Sequence, residues 1–214
     1  MKFVFFDLDG TLTDPGIGIT NSVMYALNKF GIEEKDRKEL FRFIGPPLIP
    51  SFMKYYGFSK EEAVRAVVFY REYYAERGIF ENKLYAGIPE LLGKLKDDGI
   101  KVVMATSKPE IFAEKIAKHY DIAKYFDLIA GATESETRTE KDEVIAYALE
   151  KLGNPPARDI TMVGDRFYDV KGAAKFEIPT VGVLYGYGNE KELTDAGAVS
   201  LAKTPEEVYI RLRQ

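Results

Sequence analysis

The sequence predicts an α/β chain in which a doubly wound parallel sheet is interrupted by a small, all-helical insert. Three observations carry that prediction. The chain opens on Phe3-Val4-Phe5-Phe6, four large apolar residues in a row. Such a run is one strand buried on both faces, as in a parallel sheet, because a strand with one wet face alternates. From Tyr85 onward helical and strand patterns alternate, which implies parallel strands joined by right-handed crossovers. Between these parts, residues 14–83 show helical spacing and no strand pattern. The expected domains are therefore a core of residues 1–13 and 84–214 and a helical lid of residues 14–83. The insert leaves the core just past the first strand end, where a lid would overhang the crevice.

The elements follow in order. Leu12-Thr13-Asp14-Pro15-Gly16 is a turn signal. Ile19, Val23, Ala26, Leu27 and Phe30 fall at helical spacing, and Gly31 ends that run. A short helix is expected over 35–44, broken by Gly45-Pro46-Pro47, and another over 48–56. Ser59 with Glu62 makes a capping box for a helix running to about Arg77. In the core the pattern predicts helices over 88–98, 109–120, 140–152 and 170–176, alternating with strands over 100–105, 127–130, 160–163 and 180–183. Two more helices, over 190–196 and 205–213, close the chain.

Composition narrows the chemistry. The 214 residues suffice for one good core and a smaller domain. Thirty basic residues against 34 acidic ones leave a net charge of −4, with no basic footprint for nucleic acid. No apolar run approaches the roughly 18 to 20 residues that span a bilayer, and the opening apolar run is too short for a signal peptide. With no cysteine, thiolate metal sites and cysteine catalysis are excluded, and a cytoplasmic location is expected. A single histidine, His119, read here as a surface residue, speaks against a histidine triad or a zinc cluster. Catalysis in this chain must run on carboxylates, hydroxyls, lysines and a hard metal.

Four stretches place such groups at strand ends or helix starts. The opening strand runs into Asp7-Leu8-Asp9-Gly10-Thr11. Open α/β sheets bind ligands outside the carboxyl ends of their strands. Residues two apart point to the same side of an extended chain, and Gly10 permits a tight turn. Both carboxyls then face one crevice, where a divalent cation relieves their repulsion. Taken alone, the pair equally well caps and solvates a strand end. Thr106-Ser107-Lys108-Pro109 offers hydroxyls and the free amides of a following helix, either a phosphate cradle or a plain N-cap. Lys141 sits near a helix start, where it opposes the helix dipole; a solvated lysine is the commoner reading. Gly164-Asp165-Arg166-Phe167-Tyr168-Asp169 suits metal binding and helix capping alike.

The string Phe6-Asp7-Leu8-Asp9-Gly10-Thr11-Leu12 resembles the first motif of the haloacid dehalogenase (HAD) superfamily, most of whose members are phosphatases. The acid pair, hydroxyl, lysine and second acid pair, in that order, resemble the family's four-motif pattern over essentially the whole chain. The resemblance implies a Rossmann-like core with a small helical cap. It implies Asp7 as nucleophile and Asp9 as general acid and base. Thr106, Ser107, Lys108 and Lys141 would bind the phosphoryl oxygens. Mg²⁺ would be held by Asp7, Asp165 and the backbone carbonyl of Asp9, with Asp169 and Thr11 supporting from behind. Here the lysine motif reads Lys141-Asp142 where many relatives have Lys-Pro. A dehalogenase needs no acid at the Asp9 position, so the pair argues for phosphoryl chemistry.

Substrate choice is expected to reside on the insert. Gly45-Pro46-Pro47 is stiff and lacks two amide donors, which suits either a loop pressed on the leaving group or a plain helix breaker. Phe43 to Leu48 and Gly182 to Gly188 resemble a subgroup described as 5′-nucleotidase-like or phosphoglycolate-phosphatase-like. Arg42 and Lys54 are candidates to meet a second anionic group. Phe69, Tyr70, Tyr73 and Tyr74 either face a base or form core. The favoured expectation is a Mg²⁺-dependent phosphomonoesterase acting on a nucleoside 5′-monophosphate. A phosphoglycolate phosphatase, a phosphomutase of the β-phosphoglucomutase type and a non-catalytic metal-dependent binding protein stay open. The expected partner is a small phosphorylated metabolite, with no nucleic-acid polymer, membrane or obligate protein partner.

Overall fold

In the computed structural model, which describes residues 1–133 and 137–214, the opening strand β1 (Phe3–Phe6) lies inside a six-stranded parallel sheet. A short strand β2 (Thr13–Asp14) leads out, and β3 (Lys83–Leu84) leads back. The sheet continues with β4 (Lys101–Pro109), β5 (Leu128–Ala132), β6 (Ile160–Gly164), β7 (Thr180–Val183) and β8 (Ser200–Ala202). Its order is β5-β4-β1-β6-β7-β8. Phe5 stands beside Val103 of β4 on one side and Met162 of β6 on the other. Strand order reverses at β1, so the crevice at its carboxyl end lies at the topological switch point, where such sheets bind ligands.

Every side chain of β1 is buried. Phe3 and Phe5 join a core layer with Val103, Ala105, Val144, Ile145 and Met162, while Val4 and Phe6 are fully buried as well. That double burial explains the unbroken apolar run. Fully burying one such phenylalanine contributes about 1.5 to 3 kcal/mol. Anchored so, the strand holds the residue that follows it in a fixed place.

The chain divides into two units, Met1–Asp14 with Leu84–Gln214, and Pro15–Lys83. The second consists of α1 (Gly16–Lys29), a 3-10 turn (Arg37–Phe43), α2 (Leu48–Tyr56), α3 (Lys60–Tyr73) and a π turn (Tyr74–Gly78). Ser59 and Glu62 form the capping box read from the sequence, with Ser59 Oγ accepting from Glu62 N at 3.2 Å and Glu62 Oε2 from Ser59 N at 2.8 Å. Tyr70 and Tyr74 are core residues of this unit, their rings stacked 5.4 Å apart. The first unit carries α4 (Ile88–Asp97), α5 (Glu110–His119), α6 (Lys141–Lys151), α7 (Phe167–Ala174), α8 (Glu190–Ala196) and α9 (Pro205–Leu212). His119 is exposed, as read.

Two elements differ from the sequence reading. β4 does not stop at Ala105 but continues through Thr106-Ser107-Lys108-Pro109, with an irregularity in its pairing between Ala105 and Pro109. The first helical residue of α5 is therefore Glu110, with Pro109 as its N-cap, past the hydroxyl pair. β8 has no counterpart in the expected elements. It is a three-residue strand at the end of the sheet order, too short for alternation to register. Among the described residues, no helix is long and apolar enough to cross a membrane.

Candidate active site

Asp7 follows β1 directly, and its N–H still donates to Val163 of β6 at 3.0 Å, so it inherits the position of the sheet. Beyond it the chain folds around the Leu8 carbonyl, which accepts from Leu12 N at 2.9 Å and Thr13 N at 3.0 Å. Gly10 makes this possible with φ of +85°, and a side-chain carbon there would lie 2.2 Å from Asp165 Oδ2. Asp7 and Asp9 are both buried.

Lys141, the first residue of α6, points into the same place. Its Nζ lies 2.7 Å from Asp7 Oδ1 and 2.8 Å from Asp169 Oδ1, and it donates to the Ala105 carbonyl at 3.1 Å. The solvated reading of this lysine is thus overturned: at 5% exposure it is a buried cation between two buried carboxylates. Burial alone would lower its pKa, but Asp169 and Asp7 more than offset that and raise it. α7 comes close enough to allow this because Gly172 has no side chain; a Cβ there would meet Lys141 Cγ at 2.8 Å.

Asp165, at the end of β6, is completely buried. Its Oδ2 accepts from Tyr187 N at 2.7 Å, and its Oδ1 accepts a long 3.5 Å contact from the Thr11 hydroxyl. Asp169 Oδ2 accepts from Arg166 N at 3.0 Å, closing the start of α7. Asp7, Asp165 and Asp169 offer carboxylate oxygens all within 4.8 Å of one another. Burial, then Asp169 and Asp7, push Asp165 well above the usual carboxylate range. Burial pushes Asp169 up to about 6, against the pull of Lys141. Three carboxylates packed this closely out of water need positive charge or protons.

Asp9 has a different partner. Lys108 Nζ lies 2.5 Å from its Oδ2, while Oδ1 is buried without a hydrogen-bond partner among the described residues. Burial raises its pKa, Lys108 pulls it back, and Asp7 adds to the rise, leaving it above the ordinary value. Lys108, expected to touch substrate, reaches into the site with its amine on Asp9. Thr106 is buried and its hydroxyl accepts from Lys108 N at 3.2 Å; Ser107 is half-buried. Arg42 and Gly45 belong to the other unit. There Arg42 pairs with Glu39 at 3.2 Å and stacks 4.3 Å over Tyr55, and Gly45 takes a φ of +102°. The reading from sequence missed Tyr187, whose amide fixes Asp165. Its signal was the alternation Tyr185-Gly186-Tyr187-Gly188 just past a strand end.

The family model for haloacid dehalogenase-like hydrolases matches residues 4–183. The chain belongs to that family. It is 46% identical over 190 residues to a 5′-nucleotidase of Pseudomonas aeruginosa, covering 89% of this chain and 86% of the relative. It is 40% identical over 209 residues to the tyrosine-protein kinase PtkA of Mycobacterium tuberculosis, covering 97% of this chain and 71% of that one. The crystal structure of a predicted phosphatase from Clostridium acetobutylicum superposes with a TM-score of 0.96 at 47% identity, covering 99% of this chain and 98% of that one.

Proposed function

We propose that this hydrolase is a Mg²⁺-dependent phosphomonoesterase that works through an aspartyl-phosphate on Asp7. The observation that carries the reading is Lys141 Nζ held between Asp7 and Asp169 beside buried Asp165. Groups that lie far apart in the sequence meet at one sheet end, where burial costs stability and a purely structural role gives no return.

The donor set fits a hard divalent cation. All candidate ligands are oxygens, they are close enough to share one ion, and their mutual repulsion is what such an ion relieves. Asp7 and Asp165 would hold it with the Asp9 carbonyl, and Asp169 sits beside them on Lys141. Bound there, Mg²⁺ supplies positive charge against the phosphoryl oxygens.

The chain's own groups divide the remaining work. The Asp7 carboxylate attacks phosphorus and the bond to the leaving oxygen breaks, giving an acyl phosphate on Asp7. Asp9, which keeps its proton more readily than an exposed aspartate, gives it to the leaving alkoxide. It then takes a proton from the water that attacks the acyl phosphate, releasing inorganic phosphate and freeing Asp7. Lys141 places its charge next to Asp7 throughout, and Lys108 holds the Asp9 carboxyl. The Thr106 and Ser107 hydroxyls serve the phosphoryl group.

A nucleoside 5′-monophosphate is the favoured substrate. The 46% identical relative named as a 5′-nucleotidase supports it. Of the two cations expected to meet the carboxylate of phosphoglycolate, Arg42 pairs with Glu39 and stacks over Tyr55, and Lys54 lies over the same Tyr55 ring. The deciding measurement is kcat/KM for AMP, UMP and phosphoglycolate with Mg²⁺ present. A tenfold preference for phosphoglycolate, about 1.4 kcal/mol in transition-state binding, would reject the nucleotide reading. The likeness to PtkA favours a second reading, phosphoryl transfer to a protein tyrosine. Labelled phosphotyrosine from a nucleoside triphosphate, without comparable phosphate release from monoesters, would establish that one instead. A phosphomutase would convert a sugar phosphate to its isomer without net phosphate release.

A further inference from the structure

Past β7 the chain turns back against the acid cluster as Leu184-Tyr185-Gly186-Tyr187-Gly188, and every contact that follows lies within the first unit. The loop approaches Asp165 as closely as backbone can. A Cβ at Gly186 would lie 2.2 Å from the Gly10 carbonyl oxygen and 2.5 Å from Asp165 Cβ. One at Gly188 would lie 1.9 Å from the Asp165 carbonyl oxygen. Between these glycines the Tyr187 N–H donates to Asp165 Oδ2 at 2.7 Å.

Two phenol groups pin the loop in that place. The Tyr185 hydroxyl donates to the Thr11 carbonyl at 3.1 Å, and its ring packs edge-on to Tyr85 with centroids 5.0 Å apart. The Tyr187 hydroxyl donates to Asp14 Oδ1. The loop thus grips Asp165 through one oxygen. The other oxygen, Oδ1, makes only the long contact from Thr11 recorded among the described residues.

We propose that Tyr187 is a positioning residue for the divalent cation. Its hydroxyl, tied to Asp14, holds the backbone amide that aims Asp165, and so sets how tightly the metal binds. The inference rests on the reading of Asp165 as a metal ligand. A carboxylate free to rotate must be ordered each time an ion binds, whereas one already fixed by an N–H donor is not. Partners that orient metal ligands typically change metal affinity about 10- to 100-fold when removed. Only the anchoring hydroxyl is accessible to substitution, since the donor itself is backbone.

The test is direct binding of Mn²⁺ as the probe ion, with the free ion read by electron paramagnetic resonance. It compares the parent protein with Tyr187→Phe, Asp165→Asn and Tyr209→Phe. The last removes a surface hydroxyl bonded to Asp98 and controls for loss of a phenol group. Tyr187→Phe is expected to weaken Mn²⁺ binding about tenfold or more, with the melting temperature in chelator unchanged. Its turnover loss should be recovered by excess metal. Tyr209→Phe should bind as the parent does. Gly186→Ala, which displaces the same loop from the other side, should weaken binding as well. If the parent binds no Mn²⁺, or Asp165→Asn binds it equally well, the metal reading falls and this inference with it. If the parent binds, Asp165→Asn does not, and Tyr187→Phe stays within twofold of the parent, the positioning role alone is wrong.

Discussion

Replacing Lys141 by methionine keeps the length and most of the volume of the side chain but removes the charge between Asp7 and Asp169. The partners lie 2.7 and 2.8 Å from Nζ, and all three groups are buried. Removing one partner of a buried ion pair costs about 3 to 5 kcal/mol, because the remaining charge stays uncompensated. Here two carboxylates are abandoned, with Asp165 beside them, so the upper part of that range applies at alkaline pH. Protonation limits the loss at lower pH. Asp169 already sits at about 6 against an ordinary 3.8, and without Lys141 it rises further. A carboxylate raised in the folded state binds more protons folded than unfolded, so stability falls as pH climbs from the unfolded value through the folded one. The penalty of Lys141→Met therefore grows with pH above about 6 and shrinks toward pH 5. The assay is urea unfolding in chelator, followed by far-UV circular dichroism at pH 8 and pH 5. At a slope of about 2 to 3 kcal/mol/M, the midpoint at pH 8 should drop by roughly 1.5 M. A loss below about 1 kcal/mol at pH 8, or equal losses at the two pH values, would refute the reasoning.

Three other outcomes follow from the same geometry. Asp7→Asn should abolish phosphate release while the metal-free protein melts at the parent's temperature or above it, since one of several crowded negative charges is gone; measurable turnover in the folded variant contradicts the nucleophile assignment. Asp9→Asn should lower kcat about 10²- to 10⁴-fold, the usual range for a lost general acid and base, and a loss under about threefold would remove Asp9 from that role. Exhaustive chelation should stop turnover, with Mg²⁺ restoring it and Zn²⁺ failing to, as the oxygen-only donors require; full activity in chelator would end the metal reading.

The parallel sheet was legible because β1 and β6 are buried strands with strong apolar character, and because helix and strand patterns alternate in the second half. Ser59 and Glu62 announced a helix start that the structure shows bond for bond. What stayed hidden was set by packing. Lys141 looks like any lysine near a helix start until Gly172 and the carboxylates of two other segments enclose it. Lys108 sits in a stretch that reads as a helix cap, but the strand continues through it and carries its amine to Asp9. The Tyr187 contact with Asp165 runs through the backbone amide, so the alternation of tyrosine and glycine marks the loop but not the bond it makes. β8 was missed because three residues at the end of the sheet order carry no period to read.

β1 also dictates when the site comes into being. Its neighbours in the sheet are Lys101–Met104 on one side and Ile160–Val163 on the other, so the strand waits for chain made long after it. During synthesis at about 5 to 20 residues per second, the aspartate at position 7 emerges early and has nothing to act with for many seconds. Four exposed apolar residues wait with it, a sticky segment until two distant strands close over it. The α-helical unit Pro15–Lys83 is one contiguous stretch and is complete long before β4 is made. Catalytic competence in the growing chain should thus appear late and abruptly, once β6, α7 and the loop that carries Tyr187 have been delivered. A destabilised β1 neighbour would then leave molecules that aggregate through the very segment that leads into Asp7.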